Sequence, residues 1–150
     1  MLLAYRLPRE PSTPRITLWR QLRRLGVVQI ADGVVSLPLD ARTREQLEWL
    51  AEEVVDNGGE ATVWLAEPGS AAQERALAER MAAAVTAEYL KVIAEASTRP
   101  AEPDAVRRRS VARLRAELRR IGSRDYFPGP ISERARTAVK ALGDSLAAVS

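Results

Sequence analysis

The sequence predicts an α+β fold: a small antiparallel sheet with two helices over residues ~1–67, followed by three helices. Three observations carry this. Apolar runs of strand length alternate with helical periodicity through the first 67 residues. An Asp32-Gly33 pair between two β-branched runs marks a hairpin. Beyond residue 70 only helical periodicity remains, interrupted by a proline-bearing segment, Thr98 to Pro103, and a turn-rich one, Gly122 to Pro130.

The elements follow in order. Leu2 to Leu7 is an apolar strand ended by Pro8. A loop with Pro8, Pro11 and Pro14 leads into a helix from about Pro14 to Leu25, with Leu18, Trp19, Leu22 and Leu25 on one face and Arg20 and Arg24 on the other. Ser12 or Thr13 is expected to cap it, Pro14 suits its first turn, and Gly26 stops it. Val27 to Ile30 and Val34 to Leu37 form the hairpin strands, and Pro38 ends the second. Asp40 is placed to cap a helix from Ala41 to Asn57, which carries Leu47, Leu50, Ala51, Val54 and Val55 at core spacing and glutamates opposite. Gly58-Gly59 ends that helix, and Ala61 to Ala66 is the last strand. The order β-α-β-β-α-β is the split βαβ, or ferredoxin-like, pattern. Both helices should cover one face of the sheet, and the helical tail is expected to cover the other.

The tail reads as helices over residues 70–97, Asp104 to Ile121 and Ser132 to Val149, with Asp104 as a further cap. The first carries Leu77, Met81, Val85, Val92 and Ile93 along a stripe, and the last carries Ala135, Val139, Leu142 and Leu146. Trp19, Trp49 and Trp64 are expected to pack in or at the edge of the core. The 150 residues suit one domain made of these two parts. With no long apolar run and no secretory signal, the expected location is cytoplasmic, away from membranes.

The chain has neither cysteine nor histidine. That excludes disulfides, thiolate metal sites, a Cys nucleophile and a Ser-His-Asp triad, and it removes the commonest general base and metal ligand. No cofactor fingerprint is present, so the expectation is a protein that is not an enzyme and holds neither cofactor nor metal.

Of 23 basic residues, only Lys91 and Lys140 are lysine. Codon usage in a GC-rich genome accounts for such a bias. A planar, five-donor guanidinium is also the better group for phosphate and other oxyanions. Two clusters give the second account substance. Between Ala105 and Arg124 eight arginines face one acid, Glu117. Val111, Leu114, Leu118 and Ile121 form the docking stripe of that helix, opposite a broad arc with Arg108, Arg109, Arg113, Arg115, Arg119 and Arg120. Such a face either contacts nucleic-acid phosphates or is a solvated surface paired with acidic neighbours. The other cluster, Arg6, Arg9 and Arg15 around the first helix start, is a candidate oxyanion site, since helix N-termini favour anions. Sheet-end carbonyls and Glu10 are its alternative partners.

Tyr5-Arg6-Leu7-Pro8, Pro11-Ser12-Thr13-Pro14-Arg15 and Leu18-Trp19-Arg20-Gln21-Leu22-Arg23-Arg24-Leu25-Gly26 stand in this order. They are followed by Gly33-Val34-Val35-Ser36-Leu37-Pro38, Glu48-Trp49-Leu50-Ala51-Glu52-Glu53 and Gly58-Gly59-Glu60-Ala61, and at a distance by Glu88-Tyr89, Arg113-Leu114 and Asp125-Tyr126-Phe127. Together they resemble the N-terminal domain of the ChrB family of chromate-resistance regulatory proteins. A more remote likeness, through the WRxLRxLG and Gly…Leu-Pro features, is to the central domain of PaaX-type repressors.

The ChrB resemblance implies a chromate-responsive transcriptional regulator, or a regulatory module of such a system, in homodimeric form. Its candidate DNA-phosphate contacts are Arg20, Arg24, Arg108, Arg115 and Arg119, and its candidate oxyanion contacts, for chromate or a similar anion, are Arg6, Arg9 and Arg15. Members of that family usually continue into a second domain. If sensing or DNA contact lies there, the alternative is a non-catalytic oligomerisation or partner-binding module. A metal-dependent nuclease ranks lower: related ferredoxin-like nucleases use an Asp just after the first strand, where this sequence has Pro8-Arg9-Glu10.

Overall fold

The structure, a computed structural model, describes residues 1–147. The chain divides into two compact units, the first Met1–Ala78 and the second starting at Glu79. The elements run β1 (Leu2–Arg6), α1 (Thr13–Leu25), β2 (Val28–Ala31), β3 (Val34–Ser36), α2 (Ala41–Asp56), β4 (Glu60–Trp64), α3 (Ala71–Thr98), α4 (Asp104–Ser123) and α5 (Pro130–Ala147). Each predicted element is present, within about three residues at either end. The end expected for the last helix, at Val149, lies outside the described residues.

In the first unit the sheet order is β2-β3-β1-β4, with every neighbouring pair antiparallel. β3 therefore lies between β1 and β2, an order compatible with the split βαβ pattern. Leu3 stands opposite both Val35 and Val63, so these three share one face. Leu3 and Val35 on that face are fully buried, as are Leu22, Leu47 and Val54 from the two helices. Each such side chain contributes about 1.5–3 kcal/mol over its exposed state.

Local chemistry fixes the ends of these elements. Asp40 caps α2, accepting a 2.8 Å hydrogen bond from the Thr43 amide while the Thr43 hydroxyl accepts from the Asp40 amide. The Thr43 amide holds the Asp40 carboxyl below its usual range. Gly58, at φ +83°, and Gly59 end the helix by donating to Val55 and Val54 carbonyls at 3.0 and 2.9 Å. Gly26 closes α1 in the same left-handed conformation. The expected cap at the start of α1 is not made: Ser12 has helical backbone angles and no side-chain cap bond. Pro14 near the first turn lacks an N–H for it to accept.

Other expectations are corrected by position. Trp19, Trp49 and Trp64 are 38%, 59% and 57% exposed, and are not core residues. Trp49 and Val55 lie outside the Leu47, Leu50 and Val54 stripe that α2 buries, and Trp64 ends an edge strand. Asp104 does not cap α4. Pro103 occupies the cap position, and the Asp104 carboxylate pairs instead with Arg107.

The second unit is helical. Val85, Tyr89, Val92 and Ala96 of α3 pack with Val111, Leu114 and Ile121 of α4 and with Ala135, Val139 and Leu142 of α5. Arg107, only 8% exposed, is structural: it donates to Ser145 Oγ at 3.2 Å and to the Pro100 carbonyl at 3.4 Å. Tyr89, 2% exposed, donates a 3.1 Å hydrogen bond to Asp125 Oδ2, which ties α3 to the segment between α4 and α5. This gives Asp125 of the Asp125-Tyr126-Phe127 motif a structural role.

Burial, then the bond to Asp125, push the Tyr89 hydroxyl up from 10 to about 12. A raised phenol contributes stability that is whole below pH 10 and is lost as pH rises through 12. Tyr89→Phe should therefore lose about 1–2 kcal/mol at neutral pH. It should also flatten the fall in stability between pH 10 and 12. Urea unfolding at neutral pH and across that range checks both effects.

Candidate functional site: an arginine-lined cleft and an arginine ridge

A cleft with a volume of about 880 Å³ lies wholly in the first unit. Its walls are α1, the end of β1 and the β2–β3 hairpin. One stripe of α1 supplies most of it: Ser12, Arg15, Ile16, Trp19, Arg20 and Arg23 all line the space. These positions recur at three- and four-residue spacing, so they form a single face beside the buried Leu18 and Leu22. β1 adds Tyr5 and Arg6, and the hairpin adds Gln29, Asp32 and Gly33.

The hairpin is held against β1 by the Tyr5 amide, which donates to the Gly33 carbonyl at 2.8 Å. Gly33 is at φ +73°, whereas Asp32 keeps a negative φ, and the ladder is irregular between Gln29 and Ala31. The Asp-Gly signal thus makes the turn with one left-handed residue, and a bulge takes up the register. The Tyr5 hydroxyl is pushed up by burial, pulled down by Arg15 and pushed up by Asp32, so its environment is set by one charge of each sign.

Arg6, Arg15, Arg20 and Arg23 form no ion pair among the described residues. Four guanidiniums around one space, with Asp32 as the lone lining carboxylate, leave it strongly cationic. The first turn of α1 has no acidic residue either, so the positive end of the helix dipole adds to the field.

The structure regroups the predicted residues. Arg6 and Arg15 of the expected oxyanion set come together, but Arg9 does not line the cleft. Arg20, expected on a DNA face, joins them, while Arg24 lies outside. Tyr5, Trp19 and Arg23 were not expected there. Their signal was the second α1 stripe, masked by assigning Trp19 to the core.

On α4 the arginines divide. Arg113 and Arg99 both reach Glu95, whose carboxyl is held low chiefly by the hydrogen bond from Arg113. Arg120 pairs with Glu117 at 2.5 Å, and Arg124 with Glu88. The acids come from α3 and α4 themselves. Arg108, Arg109, Arg115 and Arg119 are exposed and form no ion pair among the described residues. Arg108, Arg115 and Arg119 are seven and eleven residues apart, one ridge about 16 Å long. The Arg115 guanidinium crosses Gly143 of α5, where an added Cβ would stand 3.3 Å from it.

No group of three or more carboxylates converges as a metal site among the described residues. No helix among them is long and apolar enough to cross a membrane.

Fold and cleft together define an α+β domain with a cationic cleft, followed in the chain by an arginine-bearing helical unit. The family described as "Protein ChrB, N-terminal" matches residues 15–105, and the chain belongs to that family. Protein ChrB of Cupriavidus metallidurans is 30% identical over 141 residues, covering 90% of this chain and 42% of that protein. The chain thus spans less than half the length of this relative. Neither match is to a PaaX-type protein. No solved structure matches the chain.

Proposed function

We propose that this chain is a regulatory module of a ChrB-type chromate-resistance system, without catalytic activity, and that it contacts DNA phosphates through arginine-bearing helix faces. The carrying observation is the α4 ridge. Arg108, Arg115 and Arg119 stand exposed and unpaired on a helix where Arg107, Arg113 and Arg120 are paired with acids of α3 and α4. Guanidiniums left without carboxylates, in a row on a rigid helix, suit a phosphate backbone. Arg20 and Arg24 of α1 are the further candidates. The cleft that holds Arg6 and Arg15 supports an anionic ligand as the signal, and Arg9 stands in the loop that joins β1 to α1.

Duplex affinity should fall steeply with salt. Replacing Arg108, Arg115 and Arg119 together by Gln should weaken binding across all sequences and lower the log–log salt slope by about three. Fluorescence anisotropy over a salt series measures this. An unchanged slope, or no binding at low salt, overturns the reading.

A second reading, a homodimeric or partner-binding module without DNA contact, is favoured by the exposed Trp49, Trp64 and Leu65 of the first unit. Large apolar side chains left in water are common in association surfaces. Sedimentation of Trp49→Ser and Trp64→Ser beside the parent chain tests it: dissociation of a dimer supports it, and an unaltered monomer removes it.

A further inference from the structure

We infer that the α1 cleft binds a nucleotide, taking the phosphate on its arginines and the base against Trp19, rather than a bare oxyanion. This goes beyond the α4 reading and does not depend on it, since the cleft lies in the first unit and the ridge in the second.

Size argues first. At about 880 Å³ the cleft falls in the range, roughly 300–1,000 Å³, of sites that enclose drug-sized ligands. A tetrahedral oxyanion displaces on the order of 100 Å³, a few waters' worth, and leaves most of that space filled with water. Chemistry argues second. An oxyanion needs donors alone, yet the α1 stripe interleaves its arginines with Ile16 and Trp19. Trp19 is 38% exposed, an indole side chain that lines an open space instead of the core. An aromatic face beside guanidiniums that lack carboxylates is what stacks a base while its phosphate is held. Arg15 and Arg23 flank Trp19 at one helical turn on either side, so a base on the indole has its phosphate within reach of both. Asp32 across the cleft supplies an acceptor for a base amino group. A free nucleotide and the end of a nucleic-acid strand present the same base and phosphate to this cleft.

Isothermal titration calorimetry of the full chain tests this with GMP, AMP, ribose 5-phosphate, guanosine, inorganic phosphate and chromate. Either nucleotide should bind at least about tenfold more tightly than inorganic phosphate, chromate or guanosine. Trp19→Ala should bring nucleotide affinity down to that of ribose 5-phosphate, and Trp19→Phe should restore most of it. Arg15→Gln with Arg20→Gln should weaken nucleotide and ribose 5-phosphate alike. These side chains are exposed, and circular dichroism confirms that each variant folds. A 5′-phosphorylated tetranucleotide distinguishes the sources: tighter binding than GMP assigns the site to a strand end, weaker binding to a free nucleotide. Phosphate or chromate binding as tightly as GMP, nucleotide affinity unmoved by Trp19→Ala, or no nucleotide binding overturns the inference. The Arg108, Arg115 and Arg119 triple variant should keep full nucleotide affinity, which separates this result from the fate of the DNA reading.

Discussion

Gly59→Ala should destabilise the first unit by about 3 kcal/mol, the upper end of overpacking costs. The added Cβ would stand 2.3 Å from the Arg6 carbonyl oxygen, 2.8 Å from Val54 Cγ1 and 3.0 Å from Leu7 Cδ2. The Arg6 oxygen belongs to β1, the strand paired with β4, and cannot swing aside as a long side chain can. Relief requires parting β1 from β4 near the Arg6–Glu60 pair, or withdrawing the end of α2. With a urea m-value of about 2 kcal/mol/M, the unfolding midpoint should fall by roughly 1.5 M. Gly122→Ala is the matched control: nothing lies within 4 Å of its added Cβ, and the residue is inside α4. That change should stabilise by about 0.5–1 kcal/mol. Equal effects at the two positions would contradict the packing account of Gly59.

Gly33→Ala combines two costs and should lower stability by about 2–4 kcal/mol. At φ +73° any side chain is disfavoured, and the new Cβ would meet the Tyr5 carbonyl oxygen at 2.5 Å. The hairpin is held to β1 there by the Tyr5 amide donating to the Gly33 carbonyl, so the clash acts on the contact that closes one wall of the cleft. Gly33→Asn separates the causes. Asparagine tolerates the left-handed backbone better, yet it brings the same Cβ. If Asn is as damaging as Ala in urea unfolding, the close approach of Tyr5 dominates. If Asn recovers most of the loss, backbone conformation does.

Gly58 and Gly59 were visible in the sequence as stop signals, and their two jobs were not. Gly58-Gly59 reads as a helix end whichever glycine does what. In the structure Gly58 holds the left-handed angle, and Gly59 is there because β1 passes against it. The helical stripes read well for the same local reason: Leu47, Leu50 and Val54, or Val111, Leu114 and Ile121, repeat at a period that a helix must turn to one side. The Asp40 cap read correctly because its partner, Thr43, is three residues away. Asp104 was misread because a cap and an ion pair with Arg107 use the same carboxylate, and sequence does not choose between them.

The tryptophans mark the limit. Each is apolar enough for a core, and Trp19 follows Leu18 directly on α1. Only the placement of the β2–β3 hairpin leaves an open space against the stripe from Ser12 to Arg23, which moves Trp19 from core to cleft wall. The same placement gathers Arg6, Arg15, Arg20 and Arg23 and leaves Arg9 and Arg24 outside.

By itself, the sequence determined the α+β class, the order of the elements, the core stripes and the likeness to ChrB, since all of these rest on local periodicity and motif order. It also determined that any site would be built without cysteine or histidine. Which arginines share a space, and which are neutralised, was decided by tertiary structure alone. Glu88 and Glu95 are far from Arg124 and Arg113 in sequence and meet them only once α3 packs on α4. Pairing between distant charges depends on distances that only the folded chain sets.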